Sequence, residues 1–249
     1  MKCCILPDQV NSGPANMALD EALLESVGPD VFFRTYGWAV PTLSLGYFQR
    51  VADLGREERW KEVALVRRPT GGGAIWHDHE LTYAVILPAS HPQARSGVAL
   101  YHAVHGAILG LLRDRGLEAR RRGEADPPRE QGRPAGPRPF LCFADRDAED
   151  LVCRGFKVLG SAQRKRRGAI LQHGSLLLRG SARTPELRGI CELGDVPWTP
   201  QFWARQVERR VLAALGLEPS PWSIPENIRR RAGELENLVY RDPGWTNRR

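Results

Sequence analysis

Arg67-Arg68-Pro69-Thr70-Gly71-Gly72-Gly73-Ala74-Ile75-Trp76-His77 is the run on which the fold turns. Three consecutive glycines allow backbone angles closed to other residues and permit close approach by a ligand or another segment. Ala64–Arg68 reads as a strand entering the glycines, and Thr82–Leu87 as the strand that follows. Dinucleotide and phosphate-loop fingerprints run instead from a strand into a helix, so neither fits. Two readings stay open at this point. The glycine amides form an anion-binding nest with charge added by Arg67 or Arg68, or the run is a glycine-rich turn in a twisted sheet.

Working outward, Asn11-Ser12-Gly13-Pro14 caps a helix over Ala15–Ser26, with Met17, Leu19, Leu23 and Leu24 as its apolar side. Strand-like runs follow at Val31–Tyr36 and Thr42–Tyr47, and Glu57–Glu62 reads as a short helix. Val98–Arg115 is a long apolar helix, and a Pro/Arg-rich loop occupies about 119–139, where Glu124–Pro139 offers almost nothing to bury and reads as mobile. Leu151–Cys153, Phe156–Ala162 and Ala169–Leu178 read as strands, with Arg164–Gly168 as a basic hairpin loop. Amphipathic helices near Gln201–Leu215 and Glu226–Tyr240 follow. Strands and helices do not alternate regularly, which argues against a doubly wound parallel sheet. The expected fold is α+β, a mixed, mostly antiparallel sheet flanked by helices, in one domain over 1–249.

Composition excludes several classes. At 249 residues and 42% hydrophobic content the chain can bury a core without staples. No apolar run approaches a membrane span, and the first residues lack a signal-peptide core. Five cysteines, Cys3, Cys4, Cys142, Cys153 and Cys191, form no paired spacing, so the expectation is a cytoplasmic protein with reduced thiols. Lys+Arg 36 against Asp+Glu 29 leaves +7, without any nucleic-acid-binding motif. Arg120-Arg121-Arg122 and Arg164-Lys165-Arg166-Arg167 lie in loop-like stretches, where they would steer in an acidic protein partner. Only four of these cations are lysines, which singles out each one.

Two of the chemistry-bearing residues stand apart. Lys157, in Phe156-Lys157-Val158-Leu159-Gly160-Ser161-Ala162-Gln163, occupies an apolar strand, where it is either a buried compact donor or a lysine on the solvent side of an edge strand. Cys142, in Pro139-Phe140-Leu141-Cys142-Phe143, sits at a loop exit and is either a nucleophile activated by a nearby cation or an inert thiol. His77 and His79 would share a face of a strand, but no third ligand joins them, so no metal site is expected. His102 and His105 read as packed core histidines.

Taken together, Asn16–Leu23, Pro41–Gln49, Arg67–Tyr83, Lys157–Gln163 and Leu171–Leu176, with the tail from Tyr240, resemble the lipoate–protein ligase/octanoyltransferase family within the biotin/lipoate protein ligase superfamily. Gly160-Ser161-Ala162-Gln163 followed by Leu171-Gln172-His173-Gly174-Ser175, with Cys142-Phe143 upstream, is most similar to the cysteine-dependent octanoyltransferase branch. The chain departs from that branch in Ala144–Ala148, where a Pro-Ser-x-Tyr-like segment is usual, and in Gly73, where many members carry arginine.

The resemblance implies that Cys142 takes an octanoyl group from acyl carrier protein as a thioester and passes it to a lysine of a lipoyl domain such as glycine cleavage H protein. Thioester to amide runs downhill, so no cofactor is implied. Lys157 is implied as the activating cation and as a donor to the acyl carbonyl. Arg68, Gly71, Gly72, Gly73, His77, Gly160, Ser161, Ala162, His173 and Gly174 are implied to bind substrate, with the glycine loop and Gly160–Ala162 lining an apolar tunnel. At about 0.8 kcal/mol per buried CH₂, such a tunnel can select chain length. Competing readings are an ATP- and Mg-dependent lipoate–protein ligase, a lipoyl-domain amidotransferase, and a non-catalytic lipoyl-domain-binding module.

Overall fold

A computed structural model describes residues 1–124, 140–144 and 147–248. The expected Pro/Arg-rich loop therefore lies largely outside the described residues. Its first part is ordered structure, because Ala119–Arg121 pairs as a strand and Arg122–Glu124 forms a 3₁₀ turn.

The strands are β1 (Lys2–Ile5), β2 (Gln9–Asn11), β3 (Val31–Trp38), β4 (Thr42–Leu45), β5 (Ala64–Arg67), β6 (Ile75–His77), β7 (Glu80–Pro88), β8 (Ala119–Arg121), β9 (Leu151–Cys153), β10 (Phe156–Arg166), β11 (Ala169–Leu177) and β12 (Glu218–Pro221). The helices are α1 (Gly13–Ser26), α2 (Gly97–Asp114), α3 (Ile190–Leu193), α4 (Pro200–Leu215), α5 (Glu226–Leu235) and α6 (Pro243–Thr246). Among the described residues, the larger sheet runs β12-β1-β3-β7-β11-β10-β9-β8, with β2 also paired to β3. Its β3-to-β8 side is antiparallel throughout, whereas β1, β2 and β12 join in parallel. A second sheet, β5-β4-β6, carries the glycine run between β5 and β6.

Alternation along the strands assigns the larger sheet's two faces. Val31, Phe33, Leu81, Tyr83 and Val85 pack under α2 and α4 with Leu100, Val104, Ile108 and Trp203. Phe32, Tyr36, Ala84, Ile86 and Leu171 pack under α1 and α5 with Met17, Leu23 and Ile228. With both faces covered, β7 and β11 are buried along their whole length, including the polar residues Glu80, Thr82, Gln172, His173 and Ser175. A smaller core of Leu43, Leu45, Trp60, Trp76 and Leu141 sits under the second sheet.

Several expected elements change. The helix expected over Glu57–Glu62 is a 3₁₀ turn, Glu58–Trp60. The helix over Glu226–Tyr240 ends at Leu235 and relaxes into a π turn, Glu236–Tyr240. The basic hairpin loop is strand through Arg166, because Arg164, Lys165 and Arg166 still pair with Leu171, Ile170 and Ala169; only Arg167 and Gly168 turn, both at positive φ. Arg120 and Arg121 belong to β8, not to a loop. No helix among the described residues is long and apolar enough to cross a membrane.

Candidate active site

Phe140–Ala144 docks on the strand that leaves the glycine run. The Ala74 amide donates to the Phe140 carbonyl at 2.8 Å, and the Cys142 amide to the Ala74 carbonyl at 2.7 Å. Gln49 Nε2 holds the same Phe140 carbonyl from the other side at 2.9 Å. A Cβ on Gly73 would fall 2.8 Å from the Cys142 backbone nitrogen, so the glycine is what lets the thiol segment seat there.

Lys157 reaches Cys142 from β10. The pairing of β10 with β9 slips between Lys157 and Leu159, and this bulge turns Lys157 inward beside buried Val158 and Leu159. Its Nζ lies 3.6 Å from Cys142 Sγ, 2.9 Å from the Cys142 carbonyl oxygen and 2.9 Å from Asp150 Oδ2. Its three N–H groups therefore meet three acceptors. A Cβ on Gly160 would come within 2.8 Å of Lys157 Cε, so this glycine clears the ammonium's path. Burial draws the ammonium down, but Cys142 and Asp150 outweigh it and hold Lys157 above its ordinary range. Burial likewise pushes Asp150 above the usual carboxylate range, against the opposing pull of Lys157. The edge-strand reading of Lys157 fails because β10 lies between β9 and β11.

Cys142 stands at a junction of two cavities. The first is walled by Met17, Tyr36, Trp38, Ile75, Gly71–Gly72 and Gly160–Ala162, and also by Arg68, His77, His173 and Gly174. The second, larger one is walled by Asp147, Glu149, Asp150, Tyr101, His105 and Lys157. Gly71, Gly72, Ser161 and Ala162 border both, as Cys142 does, while Gly73 borders the second.

The polar side chains around the apolar cavity are bound to one another. Arg68 spends its guanidinium on the Ser44 carbonyl and hydroxyl and on the Gly71 and Gly73 carbonyls, at 2.8–2.9 Å. Arg67 donates to the carbonyls of Gly46, Gln49 and Thr246. Gly71 and Gly73 thus turn carbonyls toward Arg68, and carbonyls from other segments occupy Arg67, so neither guanidinium is left to add charge to an anion nest. His77 bonds Glu80 through Nδ1 and Ser44 through Nε2, and Trp38 stacks on its ring at 3.7 Å. Burial holds His77 below its ordinary range despite Glu80. His79 turns away toward Asp78 and Trp198, so the two histidines do not share a face. His173 bridges Asp20 at 3.1 Å and Thr70 at 2.7 Å.

Three participants carried no sequence signal as site residues: Asp150, Tyr83 and His105. His102 is more than half exposed and pairs with Glu149, so it is no core histidine. His105 is buried, with Nδ1 2.6 Å from the Glu149 carbonyl and Nε2 2.7 Å from Ser161 Oγ. Burial pushes it down to about 4, opposed by the Glu149 backbone contact and Asp147 and assisted by Arg121 and Lys157. The helical apolar pattern hides such a histidine, since its position falls on the same face as its core neighbours Val104 and Ile108.

Fold and site together define a lipoate-ligase-type catalytic domain. The chain matches a putative lipoate protein ligase from T. acidophilum solved with bound lipoic acid, at a TM-score of 0.78 and 22% identity over 100% of both chains. It also matches lipoate-protein ligase A bound with ATP, at 0.78 and 23% over 99% of both. The family model for the lipoyl protein ligase A/B catalytic domain covers residues 12–189, and the chain belongs to that family. Octanoyltransferase LipM of Halalkalibacterium halodurans is 44% identical over 181 residues, 69% of this chain and 64% of the relative. Octanoyltransferase LipM of Bacillus subtilis gives the same figures, 44% over 181 residues with 69% and 64% covered. The chain thus spans about 64% of the length of the curated relatives it matches.

Proposed function

We propose that this protein moves an octanoyl group from octanoyl-acyl carrier protein to a lysine of a lipoyl domain, such as glycine cleavage H protein, through a thioester on Cys142. The observation that carries the reading is the 3.6 Å contact of Lys157 Nζ with Cys142 Sγ at the junction of an apolar and an acidic cavity. The names of the LipM relatives support the octanoyl-transfer part of this reading.

In the first transfer, the Cys142 thiolate attacks the carrier's thioester and expels the carrier thiolate, with the ammonium of Lys157 stabilising the anionic nucleophile. The acyl chain enters the apolar cavity. Once Sγ is acylated it carries no charge, and the N–H of Lys157 that faced it can turn to the carbonyl oxygen, where negative charge develops in the second transfer. The acceptor lysine approaches through the other cavity. Asp147 there has no cationic partner among the described residues, whereas Glu149 pairs with His102 and Asp150 with Lys157. A carboxylate left uncompensated at a cavity wall attracts an ammonium and raises its local concentration.

The test is intact mass spectrometry after incubation with octanoyl-acyl carrier protein in the absence of ATP. One octanoyl adduct is expected, removed by hydroxylamine and missing in Cys142→Ala. No adduct, with transfer appearing only on addition of ATP and free lipoate, would instead make the protein a ligase.

A further inference from the structure

A single hydrogen-bonded chain, several of whose members line the cavity that Cys142 borders, runs from one backbone carbonyl to another. At one end Gln163 Nε2 donates to the Gly97 carbonyl at 2.8 Å and to Gln172 Oε1 at 2.7 Å. Gln172 Nε2 in turn donates to Tyr83 Oη at 2.9 Å, and Tyr83 meets Ser161 Oγ at 2.7 Å. At the other end His105 joins Ser161 to the Glu149 carbonyl.

Both terminal groups are carbonyls, which only accept, so the direction of every bond follows. The Gly97 carbonyl requires the amide nitrogen of Gln163, which leaves Gln172 to accept with its oxygen and donate with its nitrogen. Tyr83, having accepted that bond, gives its own proton to Ser161. The Glu149 carbonyl requires a proton on His105 Nδ1. A neutral imidazole then offers Nε2 as an acceptor, and it takes the proton of Ser161. Asp147, Arg121, Lys157 and the Tyr101 ring face this imidazole, and burial among them keeps it neutral.

A serine hydroxyl has one proton and two lone pairs. In Ser161 the proton is committed to His105 and one lone pair to Tyr83. The second lone pair has no donor among the described residues, and Ser161 borders both cavities beside Cys142. We infer that Ser161 is an acceptor-only hydroxyl that receives an N–H of the attacking lysine amine in the second transfer and aims its nitrogen lone pair at the Cys142 thioester. The polarity excludes the opposite use, donation to the developing oxyanion, because the hydroxyl has no proton left to give. In this step the amine nitrogen forms the new C–N bond, the C–S bond breaks, its electron pair leaves on Sγ, and the amine's surplus proton goes to solvent. His105 and Tyr83 act through Ser161 and are positioning residues.

The inference rests on the acyl-transfer reading, and preformed acyl-enzyme separates the two. Octanoyl-Cys142 protein is isolated and then offered either a lipoyl-domain lysine or dithiothreitol, whose thiolate has no N–H to donate. Ser161→Ala should lose about tenfold or more in aminolysis, the size of one hydrogen bond made in the transition state. Its thiolysis should stay within twofold, and Ser161→Thr should restore aminolysis. Tyr83→Phe loosens the positioning of Ser161 but leaves the acceptor in place, so its aminolysis should fall by clearly less than that of Ser161→Ala. Loss of aminolysis and thiolysis alike, or of neither, would overturn the inference, as would a Tyr83→Phe loss equal to that of Ser161→Ala. Failure of the wild type to form the adduct at all would instead overturn the underlying reading.

Discussion

On the α1 side of the larger sheet, Asp20 meets Arg34 at 3.4 Å, Tyr36 at 3.0 Å and His173 at 3.1 Å, and Arg34 also binds Asn16. On the α2 side, Lys157, Asp150 and His105 are buried to a similar degree, and the half-buried Ser161 lines the same cavities as Cys142. The first cluster is turned on itself: it holds α1, β3 and β11 together and shapes the wall of the apolar cavity. The second leaves valences facing a cavity, a thiol beside an ammonium and a hydroxyl with a lone pair to spare. Polar burial on one side of the sheet fixes structure, and on the other it stores chemistry.

The largest test of this contrast is Arg34→Met. Removing the guanidinium leaves Asp20 as a buried carboxylate without its cation, so stability in urea should fall by about 3–5 kcal/mol. Acylation of the folded fraction should survive. An activity loss with unchanged stability would mean that the α1 cluster belongs to the chemistry.

The converse variant is Lys157→Met combined with Asp150→Asn, which avoids stranding the carboxylate. Acylation of Cys142 should slow about a hundredfold, near 2.7 kcal/mol, and the pH profile of Cys142 alkylation should move to higher pH. An unmoved profile would remove Lys157 from the activating role.

A smaller effect separates the two sides by pH. An unfolded histidine titrates near 6.5, whereas burial holds His105 at about 4. The unfolded chain therefore binds this proton first. The contribution is complete above about pH 6.5 and is lost as pH falls toward 4, with about 2 kcal/mol gone by pH 5. Urea denaturation at pH 7 and pH 5 should show this loss in the wild type, beyond what His105→Gln shows. Equal losses in the two proteins would mean that His105 is not held neutral by the fold.

Gly73 and Lys157 were legible as residues out of keeping with their surroundings: a third glycine where two make a turn, and a lysine in a chain that writes arginine. Asp150 and His105 were not. Each looks ordinary within its own segment, and each acquires its role from a contact that the local pattern does not show: His105 from Ser161, far along the chain, and Asp150 from a nearby lysine turned inward by a bulge. Arg68 misled for a related reason, since an arginine beside glycines suggests an anion until carbonyls are seen to surround it.

By itself the sequence determined the α+β class, the strands of the larger sheet's centre and the family, because alternation, caps and glycine runs are local and survive without coordinates. Only the tertiary structure decided that β4, β5 and β6 form a separate sheet, that Cys142 and Lys157 meet, and that Ser161 faces its cavity as an acceptor. Those facts depend on strand register and on which hydrogen-bonding groups are already satisfied, and both are properties of contacts between distant segments that no local pattern encodes.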